Sequence, residues 1–151
     1  MATGRTTLDP KKFFSKEEIE AITLRIGEIE KQTSGEIRIK VIRDCPPDTR
    51  KHAESEFVQE GLTRTRDATG VLLLLILRKR KFEILADRGI NEKISRETWQ
   101  EISGAISSSF REEKYLEGVL TALDRMGAIL AEHFPRKDDD VNELPDAPIL
   151  G

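Results

Sequence analysis

Hydrophobic and polar positions change period several times along the chain, and each change marks an element. Ser15 followed by Glu18 has the spacing of a capping box, and Ile19, Ile22, Ile26 and Ile29 then recur at helical spacing. The spacing predicts a helix to about Gln32, closed by Thr33-Ser34-Gly35, where glycine permits the turn. Residues 36–43 alternate instead, with Ile37, Ile39 and Val41 on one side and Arg38 and Lys40 on the other. That is the pattern of a strand with one covered face. Cys45-Pro46-Pro47 stops it, and Asp48 caps a second helix through His52, Ala53, Phe57 and Leu62.

Residues 71–77 carry no polar side chain, and a run of that length bounded by turn signals fits a strand buried on both faces. Only a sheet covered by helices on two sides needs such a strand, so this segment sets the architecture. A basic turn at residues 78–81 leads into a third strand with Phe82, Ile84 and Ala86 on one side. Ser95 caps a helix bearing Trp99, Ile102, Ile106 and Phe110. A last helix runs from Tyr115 or Leu116 through Val119, Leu123, Met126 and Leu130 to Phe134, with Pro135 beyond it. The expected fold is an α/β/α three-layer sandwich with a small mixed sheet flanked by about four helices. Its first two strands are parallel across a right-handed helical crossover, and the second and third form an antiparallel hairpin. Residues 1–14 read as a loose arm, 15–135 as the domain, and 136–151 as an acidic, proline-containing irregular tail in which Ile149-Leu150 is apolar enough to dock.

Composition narrows the function classes. A chain of 151 residues, 37% hydrophobic and 35% charged, is one domain with a solvated surface. Its net charge of −3 argues against a nucleic-acid binder, which would show a basic excess. The single cysteine, Cys45, excludes an internal disulfide and a multi-cysteine zinc site, and reads as an ordinary packed or loop residue. No apolar run approaches the roughly 20 residues that span a bilayer, so the expectation is a soluble, cytoplasmic protein without membrane insertion.

Four stretches carry a resemblance: SGEIRIKV from Ser34, TGVLLLL from Thr69, RKFEILADRGIN from Arg80, and F-x4-YLEG from Phe110 to Gly118. In this order and spacing they resemble the TPM domain family, over roughly residues 13–135. That family includes a thylakoid-lumen protein of photosystem II repair and many bacterial relatives. The resemblance implies an α/β/α sandwich with a pocket at one end of the sheet. It also implies binding of divalent cations through acidic residues and weak phosphatase activity. Many relatives carry Asp-Asn-Gly or Arg-Asn-Gly before the buried strand, whereas this chain has Ala68-Thr69-Gly70, which leaves Asp67 as the nearest acid.

Topology yields a candidate site on its own terms. Parallel first and second strands start at one end of the sheet, and the antiparallel third strand finishes there. Glu36, Asp67 and Asp87 therefore gather at that end with Arg88 and Glu92. Carboxylates with loop carbonyls suit a hard cation such as Ca²⁺ or Mg²⁺, and Arg88 suits a phosphate. The competing reading has these acids solvated or capping neighbouring helices. No nucleophile motif, paired-histidine motif or Gly-rich phosphate loop accompanies them, and no organic cofactor is expected. At the opposite end Arg43, Arg78, Lys79, Arg80 and Lys81 invite an anion, although a solvated hairpin whose charges guard a sheet edge is the preferred account. Asp138-Asp139-Asp140 reads as a solvated run, while Val141, Leu144 and Pro145 are the candidate contacts for a protein partner. The function expected is thus an interaction module with a divalent-cation site, the alternative being a weak metal-assisted phosphatase of phosphomonoesters.

Overall fold

The computed structural model describes residues 7–137 and 145–151. Helix α1 (Pro10–Phe13) precedes α2 (Lys16–Glu30), β1 (Glu36–Ile42) and α3 (Thr49–Gln59). A single 3-10 turn (Leu62–Arg64) leads to β2 (Gly70–Ile76), β3 (Lys81–Ala86) and the one-turn α4 (Arg88–Asn91). Then come α5 (Arg96–Arg111), α6 (Tyr115–His133) and β4 (Ile149–Leu150). The capping box expected at Ser15 and Glu18 is present with both reciprocal hydrogen bonds, and Asp48 and Ser95 cap α3 and α5 as their positions predict.

The sheet has the order β3-β2-β1-β4. β1 and β2 run parallel from Glu36 opposite Gly70 to Ile42 opposite Ile76, and β2 and β3 form the antiparallel hairpin. Each face has its own core. On one, Ile37, Ile39 and Val41 of β1 and Val71, Leu73 and Leu75 of β2 meet the apolar stripes of α2, α5 and α6. On the other, Ile42, Leu72, Leu74, Ile76 and Leu85 meet Ala53, Phe57 and Leu62. All seven residues of β2 are buried, because both faces are covered. The molecule is an α/β sandwich, with α1 and α4 added to the four helices expected.

Three features depart from the sequence expectations. The polar side of β1 is not solvated: Arg38 and Lys40 are 7% and 2% exposed, Lys40 beneath α3. Lys40 Nζ lies 2.8 Å from Glu56 Oε1 and 2.6 Å from Glu60 Oε2, and His52 Nε2 stands 3.2 Å from the other Glu56 oxygen. Burial works against the Lys40 charge, but the hydrogen bonds to Glu56 and Glu60 outweigh it and raise its pKa. Residues 10–14 are also not loose. Asp9 caps α1, and Phe13 and Phe14 enter the core with their rings edge to face. Finally, the tail read as irregular carries a strand: Ile149-Leu150, apolar enough to dock, extends the sheet as β4, parallel to β1, and the Gly151 N–H donates to Val41 O at 2.8 Å.

Candidate functional site

The strand-start end of the sheet is knitted together by backbone bonds. Glu36 N–H donates to Thr69 O at 3.0 Å, Asp87 N–H to Gly70 O at 2.9 Å, and Gly89 N–H to Ala68 O at 2.9 Å. The loops before β1 and β2 and the turn after β3 therefore meet, bringing the segments of Glu36, Asp67, Asp87 and Arg88 to one rim as the topology predicts. Glu92 follows at the C-cap of α4. Gly89 makes this closure possible. A β-carbon there would lie 2.5 Å from Asp67 O and 2.6 Å from Ala68 O, closer than any side chain tolerates. Ala68 has φ of 56°, a left-handed turn that delivers its carbonyl to Gly89.

The acids of the rim do not converge on one point. Asp87 Oδ1 accepts the Arg88 N–H at 2.7 Å as the cap of α4. Asp67 Oδ2 accepts from Lys137 Nζ at 3.0 Å, with Arg66 Nε 3.8 Å away. Glu36 is 3% exposed, while Arg88 and Glu92 are exposed. Among the described residues, no three histidine, cysteine, aspartate or glutamate side chains form a group able to hold a metal ion. Thr69 is buried: its N–H donates to the Thr65 hydroxyl oxygen at 3.0 Å and its own hydroxyl donates to Ser34 O at 3.4 Å.

Two interactions at this rim had no sequence signal. Lys137 reaches Asp67 only because Thr33 pairs with Pro135 and Ser34 N–H bonds to Phe134 O, which carries the chain after α6 back to the strand starts. Glu30, at the end of α2, accepts the Ile37 N–H at 2.8 Å and shares a hydrogen bond with Asp146. Its carboxyl pKa is pushed up to about 10, first by burial and then by Asp146. Gly27, one turn earlier, leaves room for this approach, since a β-carbon there would sit 3.3 Å from Asp146 Oδ2.

The remaining candidates fall elsewhere. Val141 and Leu144 lie outside the described residues, and Pro145 is exposed. At the strand-finish end, Asp44 pairs with Lys79 at 2.8 Å and Arg78 at 3.6 Å, and the Lys79 hydrogen bond holds its carboxyl below the usual range. Cys45 is half-buried and free, with burial raising its thiol pKa. No described helix is long and apolar enough to cross a membrane.

Comparison with known proteins agrees with this architecture. The chain resembles the BA42 protein of the psychrophilic bacterium Bizionia argentinensis, solved by NMR, with 32% identity and a TM-score of 0.87. That match covers 93% of this chain and 97% of BA42. The N-terminal domain of a protein from P. gingivalis shares the fold at 19% identity and TM-score 0.65, covering 83% of each chain. The N-terminal domain of cg2496 from Corynebacterium glutamicum shares it at 11% identity and TM-score 0.58, covering 100% of this chain and 93% of the other. No curated protein matches the chain. The TPM domain model matches residues 7–129, most of the sequence and the strand-start rim apart from Lys137 and Asp146; the chain belongs to the TPM domain family.

Proposed function

We propose that this domain is a binding module, and that a divalent cation enters its strand-start rim by displacing Lys137 from Asp67. The observation that carries this reading is the Lys137–Asp67 pair itself, 3.0 Å long with side chains 55% and 37% exposed. Asp87 is committed to a helix cap and Glu36 is buried, so Asp67 holds the exchangeable countercharge. A Ca²⁺ or Mg²⁺ ion taken there would be held by Asp67 and by loop carbonyls beside Glu36, with Asp87 and Glu92 as neighbouring acids of the rim. Cation entry also removes an anchor. Lys137 is held by Asp67, and further along the chain Asp146 bonds Glu30 and β4 pairs with β1. Val141, Leu144 and Pro145 are the contacts proposed for a protein partner.

The test is a calcium and magnesium titration followed by amide chemical shifts in the wild type, Lys137→Ala and Asp67→Asn. Saturable shifts at Glu36, Asp67, Asp87 and Gly89 are expected, tighter by roughly twofold in Lys137→Ala, because an exposed pair contributes only about 0.5 kcal/mol. They should vanish in Asp67→Asn. Flat shifts in both the wild type and Lys137→Ala would remove the cation reading. Turnover of p-nitrophenyl phosphate that requires the cation and falls on Arg88→Ala would replace the module with the metal-assisted phosphatase.

A further inference from the structure

A cleft of about 700 Å³ lies at the opposite end, where β2 finishes and the β2–β3 turn faces the junction of α5 and α6. That volume is in the range of small-molecule sites, and open α/β sheets place ligands beyond the carboxyl ends of parallel strands. The position of this end is the one at which sequence reasoning preferred a solvated hairpin. Three of the chain's six phenylalanines (Phe13, Phe82 and Phe110) and its only tyrosine, Tyr115, line the cleft. Their rings form a chain, with centroids 5.1 Å apart for Phe13 and Tyr115, 5.2 Å for Tyr115 and Phe110, and 5.9 Å for Phe110 and Phe82. Phe82, Phe110 and Tyr115 are only half-buried, so they still offer surface to an occupant.

The charge of the cleft is opposite to that of the whole protein. Among the described residues, Arg78, Arg80, Lys81 and Arg111 line it against a single acid, Glu113, on a chain whose net charge is −3. Arg78 is partly engaged by Asp44, but Arg80, Lys81 and Arg111 make no ion pair among the described residues. Two of these charged residues also occupy backbone positions suited to glycine. Arg80, at φ 52°, closes the hairpin turn by donating its N–H to Leu77 O at 3.2 Å. Glu113, at φ 62°, follows α5, with Lys114 N–H returning to Ser109 O at 2.9 Å. Glycine would relieve both left-handed turns, yet each position carries a long charged side chain into the cleft lining.

We propose that this cleft binds a small organic anion with a flat aromatic body. Its carboxylate, sulfonate or phosphate group meets the guanidinium groups of Arg80 and Arg111, and its ring packs among Phe82, Phe110 and Tyr115. Ring chemistry favours a planar body over a flexible chain, because edge and offset ring contacts reward a rigid partner. The site is independent of the strand-start rim and does not rest on cation binding there.

The probe is anilinonaphthalene sulfonate, with the uncharged phenylnaphthylamine as its control, titrated into the full chain and followed by fluorescence and amide shifts. Saturable one-to-one binding is expected, with shifts at Phe82, Phe110 and Tyr115. Arg80→Gly and Arg111→Gln should each weaken the sulfonate by about tenfold while changing the neutral probe by less than about twofold. Arg80→Gly should melt no lower than the wild type, so its loss of binding is not loss of fold. Absence of saturable binding would overturn the proposal. So would shifts confined to other parts of the domain, or equal weakening of the charged and neutral probes. Preferential binding of decanoate over the sulfonate in competition would overturn the aromatic class.

Discussion

Where β1 and β2 begin, charged side chains are tied into the fold: Asp87 caps α4, Glu30 accepts from Ile37, and Asp67 is held by Lys137. Where β2 finishes, Arg80, Lys81 and Arg111 surround an aromatic floor with no ion pair among the described residues. One end spends its polar groups on closing loops, and the other leaves them facing a cavity. A carboxylate already bonded to a backbone N–H has less capacity for a ligand, whereas an unpaired guanidinium at a cleft retains all of its hydrogen-bonding potential. The difference separates what acidic residues at strand ends do structurally from where a ligand's charge is answered.

The sharpest way to break the closed end is Gly89→Ala. Its β-carbon would meet two backbone oxygens at 2.5 and 2.6 Å, and backbone cannot rotate aside as a side chain does. A loss of about 3 kcal/mol is expected from the urea unfolding midpoint, since overpacking of this kind sits at the upper end of its range. A smaller loss would show that the rim is looser than its geometry.

The next effect depends on pH. The Glu30 carboxyl, with an ordinary pKa of 4.5, is held protonated by burial and by Asp146 up to about 10. The folded state thus keeps a proton that the unfolded chain releases. Its contribution is full below 4.5 and is lost progressively as pH rises to about 10. Glu30→Gln keeps the neutral shape without the titration. Between pH of about 6 and about 8, wild-type stability should fall relative to this variant by up to about 1 kcal/mol per pH unit. Parallel pH profiles in urea titrations would contradict the protonated pair.

The smallest effect tests the open end. Glu113→Gly relieves a left-handed turn and should raise stability by about 0.5–1 kcal/mol in thermal melts. Unchanged or reduced stability would show that Glu113 is not strained. Because Glu113 is the one acid in the lining among the described residues, the same variant should also bind anilinonaphthalene sulfonate no more weakly than the wild type does.

Much of this architecture was legible because its signals are local. Seven apolar residues in a row at β2, a basic turn and an alternating third strand leave little choice but a buried strand and a hairpin. The capping residues of α2, α3 and α5 were equally plain. Alternation in β1 was misleading, since it shows which residues share a face but not whether that face is covered. The available clue lay on α3, where His52, Glu56 and Glu60 repeat every fourth residue and so form a stripe that Lys40 could meet. Gathering Glu36, Asp67 and Asp87 at one rim followed from strand direction, but their hydrogen-bond partners did not. Lys137 arrives there after Pro135, across a separation that no local spacing encodes. The cleft is assembled from Phe13, Phe82, Phe110 and Tyr115, of which only the last two are near neighbours in sequence.

The buried charges of β1 also set an order of opening. Detaching α3 from the sheet returns Lys40, Glu56 and Glu60 to water, and their hydration offsets part of the cost of separating Phe57 and Ala53 from the strands. Detaching α5 or α6 exposes an almost wholly apolar interface with no such compensation. The two helical layers are therefore unequal foldons. Native-state hydrogen exchange should show α3 amides opening at lower free energy than those of α5 and α6, with the β1–β2 ladder surviving the first event and lost in the second.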